Sequence, residues 1–286
     1  MVPLHTWLPD TYVAASAPVA ILLGGVLAKL GTYGLLRFGL SLLPDGWAII
    51  APWVAAWAAI TIIYCAFLAI VQKDIKRMVA YSSVSHMGYI LLGSAAGNAL
   101  SLSGCIAHMI AHGLVLAMLF HLVGVIEAKV GSRDLDQLNG LLNPVRGLPF
   151  VSASLLLGAM ASAGIPGLVN FAAEFAVFLG SYRVFPLQTL IGIVGTGLTA
   201  VYFVILLNRT CFGRLDNDRA YFPKVSFNEK APAIVLAALI VVLGIKPNWL
   251  MRWSEPTEVK AVAMVPGDVV PTLGEMVGLW WHDTPS

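Results

Sequence analysis

Ionisable side chains stand inside the most apolar stretches of this 286-residue chain. Lys29 lies near the middle of the apolar run 18–43, and Glu174 follows the segment GIPG (164–167) within another. Inside a membrane, ionisable residues are rare and generally functional. Burial disfavours the charged form of such a group, which would let it take up and release a proton near neutral pH. These two residues therefore indicate proton-transfer chemistry.

Histidines in other apolar segments could connect the two. His86 stands among serines in YSSVSHMGY, and His108 and His112 are four residues apart in CIAHMIAHG, on one face of a helix. Imidazole and hydroxyl groups both donate and accept hydrogen bonds, as a hydrated proton relay requires. The alternative is that serines satisfy these histidines in a packed core. His121 faces away from His112 and is predicted to pack against another helix.

Metal and cofactor chemistry has little support. The His108–His112 spacing could hold a metal ion, but the sequence shows no third ligand nearby, so we predict no metal site. The three cysteines are scattered without CxxC spacing, which disfavours a disulfide framework and an iron–sulfur site. The chain has no P-loop, no GxGxxG after a strand, no GxSxG and no HExxH. We expect no bound cofactor and no catalytic residue other than the relay groups.

The elements that must position these groups are transmembrane helices. Hydrophobic residues make up 58% of the chain and charged residues 11%, against about 25% charged in soluble domains. With a mean hydropathy of +0.83, an all-α polytopic membrane protein is predicted. The net charge of +2 suggests no nucleic-acid partner.

Seven apolar runs are long enough to cross a bilayer, which takes about 20 residues. They form a predicted membrane domain at 1–250, and a polar tail at 251–286 carries VGLWW (277–281), which resembles an interfacial anchor. The runs cover residues 18–43, 47–72, 77–97, 98–128, 149–182, 186–208 and 231–250, after a short apolar piece at 1–14.

Positive charge predicts the orientation. Lysine and arginine concentrate in the loops 73–77, 129–146 and 209–230, whereas the alternate loops hold only Arg37 and Arg183. Because basic loops remain on the cytoplasmic or stromal side, these three loops are expected there, with the polar tail on the opposite side.

The run 149–182 is too long for one regular helix. Gly164, Pro166 and Gly167 interrupt it, so we predict one discontinuous helix. Non-helical backbone at membrane depth survives only where protein or cavity water satisfies it, and transporters use such breaks to place polar groups. The break is therefore predicted to form a hydrated pocket in which Glu174 titrates.

A series of motifs along residues 1 to about 250 carries a family resemblance. They read VPLHTWLPD, AP (17–18), LAKLGTYGLLRF, KDIKRMVAYSSVSHMGY, MIAHGL and GIPGLVNFAAEF. In this order they resemble the antiporter-like (Mrp-type) proton-translocating subunits of complex I, of the M-type or D-type (chain four). The segments RDLDQLNGLLNPVRGLP and NRTCFGRLDN are more similar to the D subunit of the cyanobacterial and plastid NAD(P)H-quinone oxidoreductase, including its CO2-uptake variants.

The resemblance implies an antiporter-like fold and a role in proton translocation. By motif, Lys29 matches the family's central lysine and Glu174 its terminal acid. His5, His86 and His112 match its connecting histidines, and His108 is a further relay candidate. The chain would be a translocase subunit without redox chemistry of its own.

The implied partners are other membrane-arm subunits, the lipid bilayer, water and protons. A nicotinamide or ferredoxin donor, flavin, iron–sulfur clusters and quinone or plastoquinone would be bound by other subunits. The implied location is a cyanobacterial thylakoid membrane or, otherwise, a bacterial inner membrane.

The sequence departs from the family pattern in two places. It starts in the middle of the family's seventh of about fourteen segments, which suggests a fragment, a misassigned start or a truncated gene. Tyr12 replaces the histidine of the usual LPDAH pattern, which weakens a relay role there. Two alternatives remain: a subunit of a multisubunit sodium/proton antiporter, and a structural remnant that does not pump.

Overall fold

The computed structural model describes residues 1–213 and 222–253. Within these residues the secondary structure is helical, apart from one β-bridge between Asp74 and Asp134. The interfacial anchor predicted at 277–281 and part of the basic loop 209–230 lie outside the described residues. The helices are α1 (Trp7–Ala14), α2 (Ala17–Leu22), α3 (Ala28–Gly34), α4 (Pro44–Ile70), α5 (Ile75–Ala96), α6 (Ala99–Val130), α7 (Pro149–Ser162), α8 (Val169–Tyr182), α9 (Pro186–Thr210) and α10 (Phe227–Ile245).

Two π-helical stretches join α2 and α3 into one long helix. They span Leu23–Leu27 and Leu35–Leu40, so the continuous helix covers Ala17–Leu40. Widened turns of this kind occur mostly at functional sites. Lys29 lies near the middle of this helix, directly after the first π-helical stretch, as the sequence predicts.

The predicted crossings all appear as helices. Five helices in the described part of the chain are long and apolar enough to cross a membrane: Ala17–Leu40, α4, α6, α9 and α10. The predicted discontinuous helix is also confirmed, as α7 and α8 separated by a non-helical segment. The chain is a multi-pass integral membrane protein.

Helix α5 is long enough to cross but less apolar, because it carries several serines and His86. These polar residues are tolerated because α5 is the central helix of the bundle. It packs against α4, α6, α8 and α9, and nearly all of its side chains are buried. A polar helix wrapped by apolar helices is where a membrane protein can keep polar groups away from lipid.

The basic loops meet on one side of the bundle, which we call the basic side. The Ile75 N–H donates to the Arg133 carbonyl at 3.0 Å, and the Leu135 N–H donates to the Lys73 carbonyl at 2.7 Å. At the end of α9, Arg209 donates to Asp136 at 2.9 Å. The described parts of the three loops therefore share a side, as their charge predicts.

Residues adjacent in sequence to the helix ends cap the central helices α5 and α6. Asp74 accepts from the N–H groups of Lys76 and Arg77 at the start of α5, and Asn98 forms a capping box with Ser101 at the start of α6. Helix α5 ends at Gly97, whose φ is +66°, a backbone conformation that glycine adopts without strain. The α5–α6 hairpin thus has a sharp reversal on the side opposite to the basic loops.

Cysteine labelling tests this topology. Ser132→Cys lies on the basic side, whereas Val184→Cys lies between α8 and α9 at the other end of the bundle. The native cysteines Cys65, Cys105 and Cys211 are buried, so the introduced thiol is the reactive one. We expect an impermeant maleimide to label Ser132→Cys from the cytoplasm only and Val184→Cys from the opposite face only. Labelling of both from one face would contradict the assigned spans.

Candidate functional site

A buried hydrogen bond joins Lys29 to α6. The Lys29 ammonium lies 2.8 Å from His112 Nδ1 and also donates to the Gly24 carbonyl. Gly24 lies in the π-helical stretch, where the widened turn leaves carbonyls free to accept from a side chain. Lys29 is 7% exposed and His112 2%. A lysine too deep to reach the membrane surface is thus held between a carbonyl and an imidazole.

The Lys29 helix and α6 pack closely, which allows Lys29 to reach His112. A β-carbon on Gly24 would lie 2.5 Å from Leu116 Cδ2, and one on Gly113 would lie 3.0 Å from the Gly25 carbonyl oxygen. These glycines let the Lys29 helix approach α6 next to His112.

Three imidazole rings lie together at the centre of the bundle. His86 on α5 is 5.1 Å from His112 and 5.5 Å from His108, measured between ring centroids. His108 and His112 are 6.0 Å apart and nearly parallel. The three rings are 0–2% exposed. The structure therefore brings together three of the four histidines that the sequence proposes for a relay, His86, His108 and His112.

Glu174 completes the cluster from α8. Its Oε1 lies 3.4 Å from His86 Nδ1, and the other nitrogen of His86 lies 3.0 Å from the Ser162 hydroxyl. Glu174 is 3% exposed. Lys29, His112, His86 and Glu174 thus form a continuous buried series, which we call the relay.

Several buried polar atoms of this region have no hydrogen-bond partner among the described residues, although His86 Nδ1 and Glu174 Oε1 lie within ion-pair distance of each other. They are His86 Nδ1, both ring nitrogens of His108, Glu174 Oε1, and both side-chain polar atoms of Asn170, four residues before Glu174. Buried polar atoms of native proteins are nearly always paired, either with protein or with ordered water. Ordered water molecules are the partners that such atoms take up in other proteins.

The break between α7 and α8 brings the carboxylate to the relay. Gly164 and Gly167 have φ values of +69° and +91°, and residues 165–167 are exposed. A β-carbon on Gly164 would lie only 2.9 Å from Glu174 Oε2. Gly164 therefore serves two purposes, because it reverses the backbone and leaves room for the carboxylate.

The packing of α6 on α8 fixes the distance between histidines and carboxylate. A β-carbon on Gly104 would lie 2.5 Å from the Val177 nitrogen and 3.0 Å from the Ala173 carbonyl oxygen. The two backbones therefore touch one turn from both His108 and Glu174. Backbone contacts of this kind are how small residues bring membrane helices together.

Two predicted histidines lie outside the relay. His5 contacts Tyr64 and Tyr81 edge-on, at ring distances of 5.7 and 6.4 Å, and its described contacts include none with the relay. Its relay role stays a prediction. His121 Nε2 lies 2.7 Å from the Glu229 carbonyl oxygen, so it joins α6 to α10, as its opposite helix face predicts.

Sequence reasoning missed some groups that contact the relay. Ser162 stands at the end of α7, just before the break, and the ring of Tyr89 lies 5.6 Å from His86 and 5.9 Å from His108. The only sequence signal for Tyr89 is its spacing of three residues from His86, which puts both on one face of α5.

Ligand atoms of His86, His108 and Glu174 lie within 4.8 Å of one another. The sequence shows no third ligand beside His108 and His112, but folding brings two from other helices. The Lys29 ammonium already bonds the neighbouring His112. A divalent ion would add two positive charges to a buried region with one carboxylate, which is costly. Binding of a divalent ion at these three residues would therefore be energetically unfavourable.

Comparison with known proteins identifies the family. The sequence family described as "NADH:quinone oxidoreductase/Mrp antiporter, TM" matches residues 1–199, which include every relay residue. The chain belongs to this family.

Members of known name cover nearly all of the chain. It is 40% identical over 257 residues to NADH-quinone oxidoreductase subunit M of Escherichia coli, a match of 89% of this chain and 50% of that relative. It is 34% identical over 287 residues to NAD(P)H-quinone oxidoreductase chain 4 1 of Trichormus variabilis, covering 96% of this chain and 54% of the relative. The chain spans about half the length of the curated relatives it matches.

The antiporter-like fold is shared with solved structures. A chain of respiratory complex I from Thermus thermophilus with bound NADH superimposes with a TM-score of 0.86 at 26% identity, over 93% of this chain and 56% of that one. A chain of the Mrp complex from a Dietzia species superimposes with a TM-score of 0.81 at 22% identity, which shows the fold alone. The predicted family and fold class are confirmed.

The α6–α8 contact gives a stability test. We expect Gly104→Ala to force the two backbones apart and to lower the stability of the folded protein by about 1–3 kcal/mol. The matched control is Gly197→Ala on an exposed face of α9, where nothing lies within 4 Å of the β-position. Thermal unfolding in detergent, followed by loss of monodisperse protein, compares the two. Equal stability of the variants would contradict the close α6–α8 packing.

Proposed function

We propose that this chain is a proton-translocating membrane subunit of a quinone-reducing oxidoreductase of the complex I type. One observation carries the proposal: the buried series Lys29–His112–His86–Glu174, with 2.8 Å between the first pair and 3.4 Å between the last. A lysine and a carboxylate connected by titratable rings across an apolar bundle are expensive to maintain without a function.

Proton movement along the relay requires no change in any bond to carbon. Lys29 donates to His112 Nδ1, and the ring releases its other proton from Nε2 toward His86 through water, because the ring centroids are 5.1 Å apart. His86 Nδ1 then delivers a proton to Glu174 Oε1, while Nε2 takes up the incoming proton through the Ser162 hydroxyl, which lies 3.0 Å away. The transfer converts a charged amine and a charged carboxylate into two neutral groups. It is favoured because buried charges are costly in an apolar environment.

The Ser162 hydroxyl determines which nitrogen of the neutral His86 ring carries the proton. When it donates to Nε2, the proton of the neutral ring is held on Nδ1, which faces the carboxylate. The ring is then poised to deliver its proton to Glu174. Since Ser162 immediately precedes the break, the same local structure positions both the donor of the last step and its acceptor.

The larger assembly is part of the same proposal. Other membrane-arm subunits are the proposed partners, and they, with peripheral subunits, would bind the nicotinamide or ferredoxin donor, flavin, iron–sulfur clusters and quinone. Relatives at 40% and 34% identity carry quinone oxidoreductase names. They support a location in a bacterial energy-converting membrane, with a thylakoid supported by the Trichormus variabilis relative. A sodium/proton antiporter subunit is the second candidate, supported by the shared fold alone.

Lys29 should act through its ability to release a proton. We expect Lys29→Ala in the assembled complex to reduce proton translocation by about tenfold or more, the scale of a lost acid–base group. Lys29→Arg should also pump poorly, because arginine does not deprotonate in proteins. The control is Lys73→Ala, in an exposed loop position. Substrate-driven acidification of inverted membrane vesicles, normalised to assembled complex, gives the rates. Wild-type pumping by Lys29→Arg would rule out proton release from this side chain.

Proton pumping should require the Glu174 carboxylate and, independently of it, the break between α7 and α8. Glu174→Gln keeps the size of the side chain but cannot exchange a proton at neutral pH, so pumping should fall by about tenfold or more. Gly164→Ala leaves the carboxylate in place but strains a backbone with positive φ and crowds Oε2, and it should also lose pumping.

Glu127→Gln, a carboxylate paired with Arg133 on the basic side, serves as the matched control for charge removal. It should pump at the wild-type rate. Normal pumping by Glu174→Gln, with the complex assembled, would refute the relay.

A further inference from the structure

Hydroxyl groups form a second buried chain between α5 and α9. Ser82 Oγ lies 2.8 Å from the Tyr202 hydroxyl, which donates to Thr199 Oγ1 at 3.3 Å. Further along, Thr196 Oγ1 donates to the Tyr89 hydroxyl at 3.3 Å, and Thr196 and Thr199 are three residues apart, on one face of α9. Except for the half-buried Thr196, these residues are 0–2% exposed. We call the five residues the hydroxyl chain.

The hydroxyl chain runs along the membrane normal. Helix α5 begins on the basic side and α9 ends there, so residues of equal depth face each other. At 1.5 Å per residue, Ser82 and Tyr202 lie roughly 10–12 Å from the basic ends of their helices. Tyr89 and Thr196 lie roughly 21 Å from those ends by the same measure. The hydroxyl chain therefore covers about 10 Å of depth and extends roughly 6 Å closer to the basic side than His86 does.

One end of the chain reaches the relay. The Tyr89 ring packs against both His86 and His108. Glu174 Oε2 lies 2.9 Å and the Thr196 methyl 3.7 Å from the β-position of Gly164, so the two side chains flank the same small space beside the break. A β-carbon on Gly195 would lie 2.9 Å from the Tyr89 hydroxyl, so glycine keeps that space open.

The other end points to the basic side. Ser83 adjoins Ser82, and its hydroxyl, like that of Tyr12 on α1, is buried without a hydrogen-bond partner among the described residues. Tyr12 is buried, and Asp10 in the same helix forms an ion pair with Arg77 at the start of α5. Polar groups thus continue from Glu174 to the charged surface.

We propose that the hydroxyl chain conducts protons between the basic side and Glu174. This inference rests on the proposed function. Each hydroxyl accepts a proton on its oxygen and passes its own hydrogen to the next oxygen, so only O–H bonds form and break, and one proton is displaced in total. Thr199 now donates to the Gly195 carbonyl at 3.1 Å, so its hydroxyl must rotate toward Tyr89 to complete the connection.

Removal of single hydroxyls tests the proposal. We expect Tyr202→Phe and Thr199→Val, which preserve the shape of the side chains, each to slow proton translocation by about tenfold. Thr199→Ser keeps a hydroxyl and should retain most of the rate. The matched control is Ser94→Ala. It removes a buried hydroxyl of α5 that is not part of the hydroxyl chain and bonds to the Ile90 carbonyl and Cys105. It should pump normally.

The measurement is acidification of inverted vesicles that contain the assembled complex, in H2O and in D2O. If the hydroxyl chain carries the protons, Tyr202→Phe should change the solvent isotope effect as well as the rate. The double variant Tyr202→Phe/Thr199→Val should be no slower than the worse single variant, because both interrupt one route. A structural role predicts lower complex content and an unchanged isotope effect.

The outcomes separate this inference from the proposed function. Wild-type rate and isotope effect in Tyr202→Phe and Thr199→Val, with Lys29→Ala and Glu174→Gln inactive, would overturn the hydroxyl chain and leave the relay. Normal pumping by Lys29→Ala and Glu174→Gln would overturn both.

Discussion

The cost of keeping ionisable groups inside an apolar bundle is the constraint on which the rest of this structure depends. Lys29 and Glu174 do not touch, so neither neutralises the other directly. The imidazoles of His112 and His86 connect them, at 2.8 Å from the amine and 3.4 Å from the carboxylate. In the proposed proton transfer the charge at each end can leave as a proton, so the bundle would not hold two uncompensated charges at all times.

Departures from regular helix serve this constraint. The π-helical turn at Leu23–Leu27 offers a carbonyl to Lys29, and the break after Ser162 places Glu174 beside His86. Glycines at the helix contacts hold the resulting distances. The regular helices α4, α9 and α10 cover the polar α5 and its neighbours, and they present many of their large apolar residues to the exterior. The irregular turns position the ionisable groups, and the apolar helices cover the polar helix that carries part of them.

The sequence predicts the elements well because its signals are local. Apolar length, the GIPG break and the basic loops determine the spans, and the isolated Lys29 and Glu174 stand out against an apolar background. What pattern reasoning could not reach depends on contacts between distant segments. Ser162, Tyr89 and Tyr202 look like ordinary helix residues until folding brings them to His86 and Ser82.

Which face of the Lys29 helix meets α6 is set by the tertiary arrangement, which the sequence pattern does not show. The structure turns Gly24 and Gly25 toward α6 and leaves Gly31 exposed. His5 belongs to the same series of motifs as the relay histidines, but its described ring contacts are with Tyr64 and Tyr81 and not with the relay.

A double-mutant cycle between Lys29 and Glu174 tests the central claim most directly, since it asks whether the two residues act on one proton path. Proton translocation is measured for Lys29→Ala, Glu174→Gln and the double variant, at equal content of assembled complex. Groups that act as a unit have strongly non-additive effects. The account predicts that the double variant pumps at the residual rate of the slower single variant. Losses that multiply, so that the double variant is slower than either single variant by the full factor of the other, would contradict it.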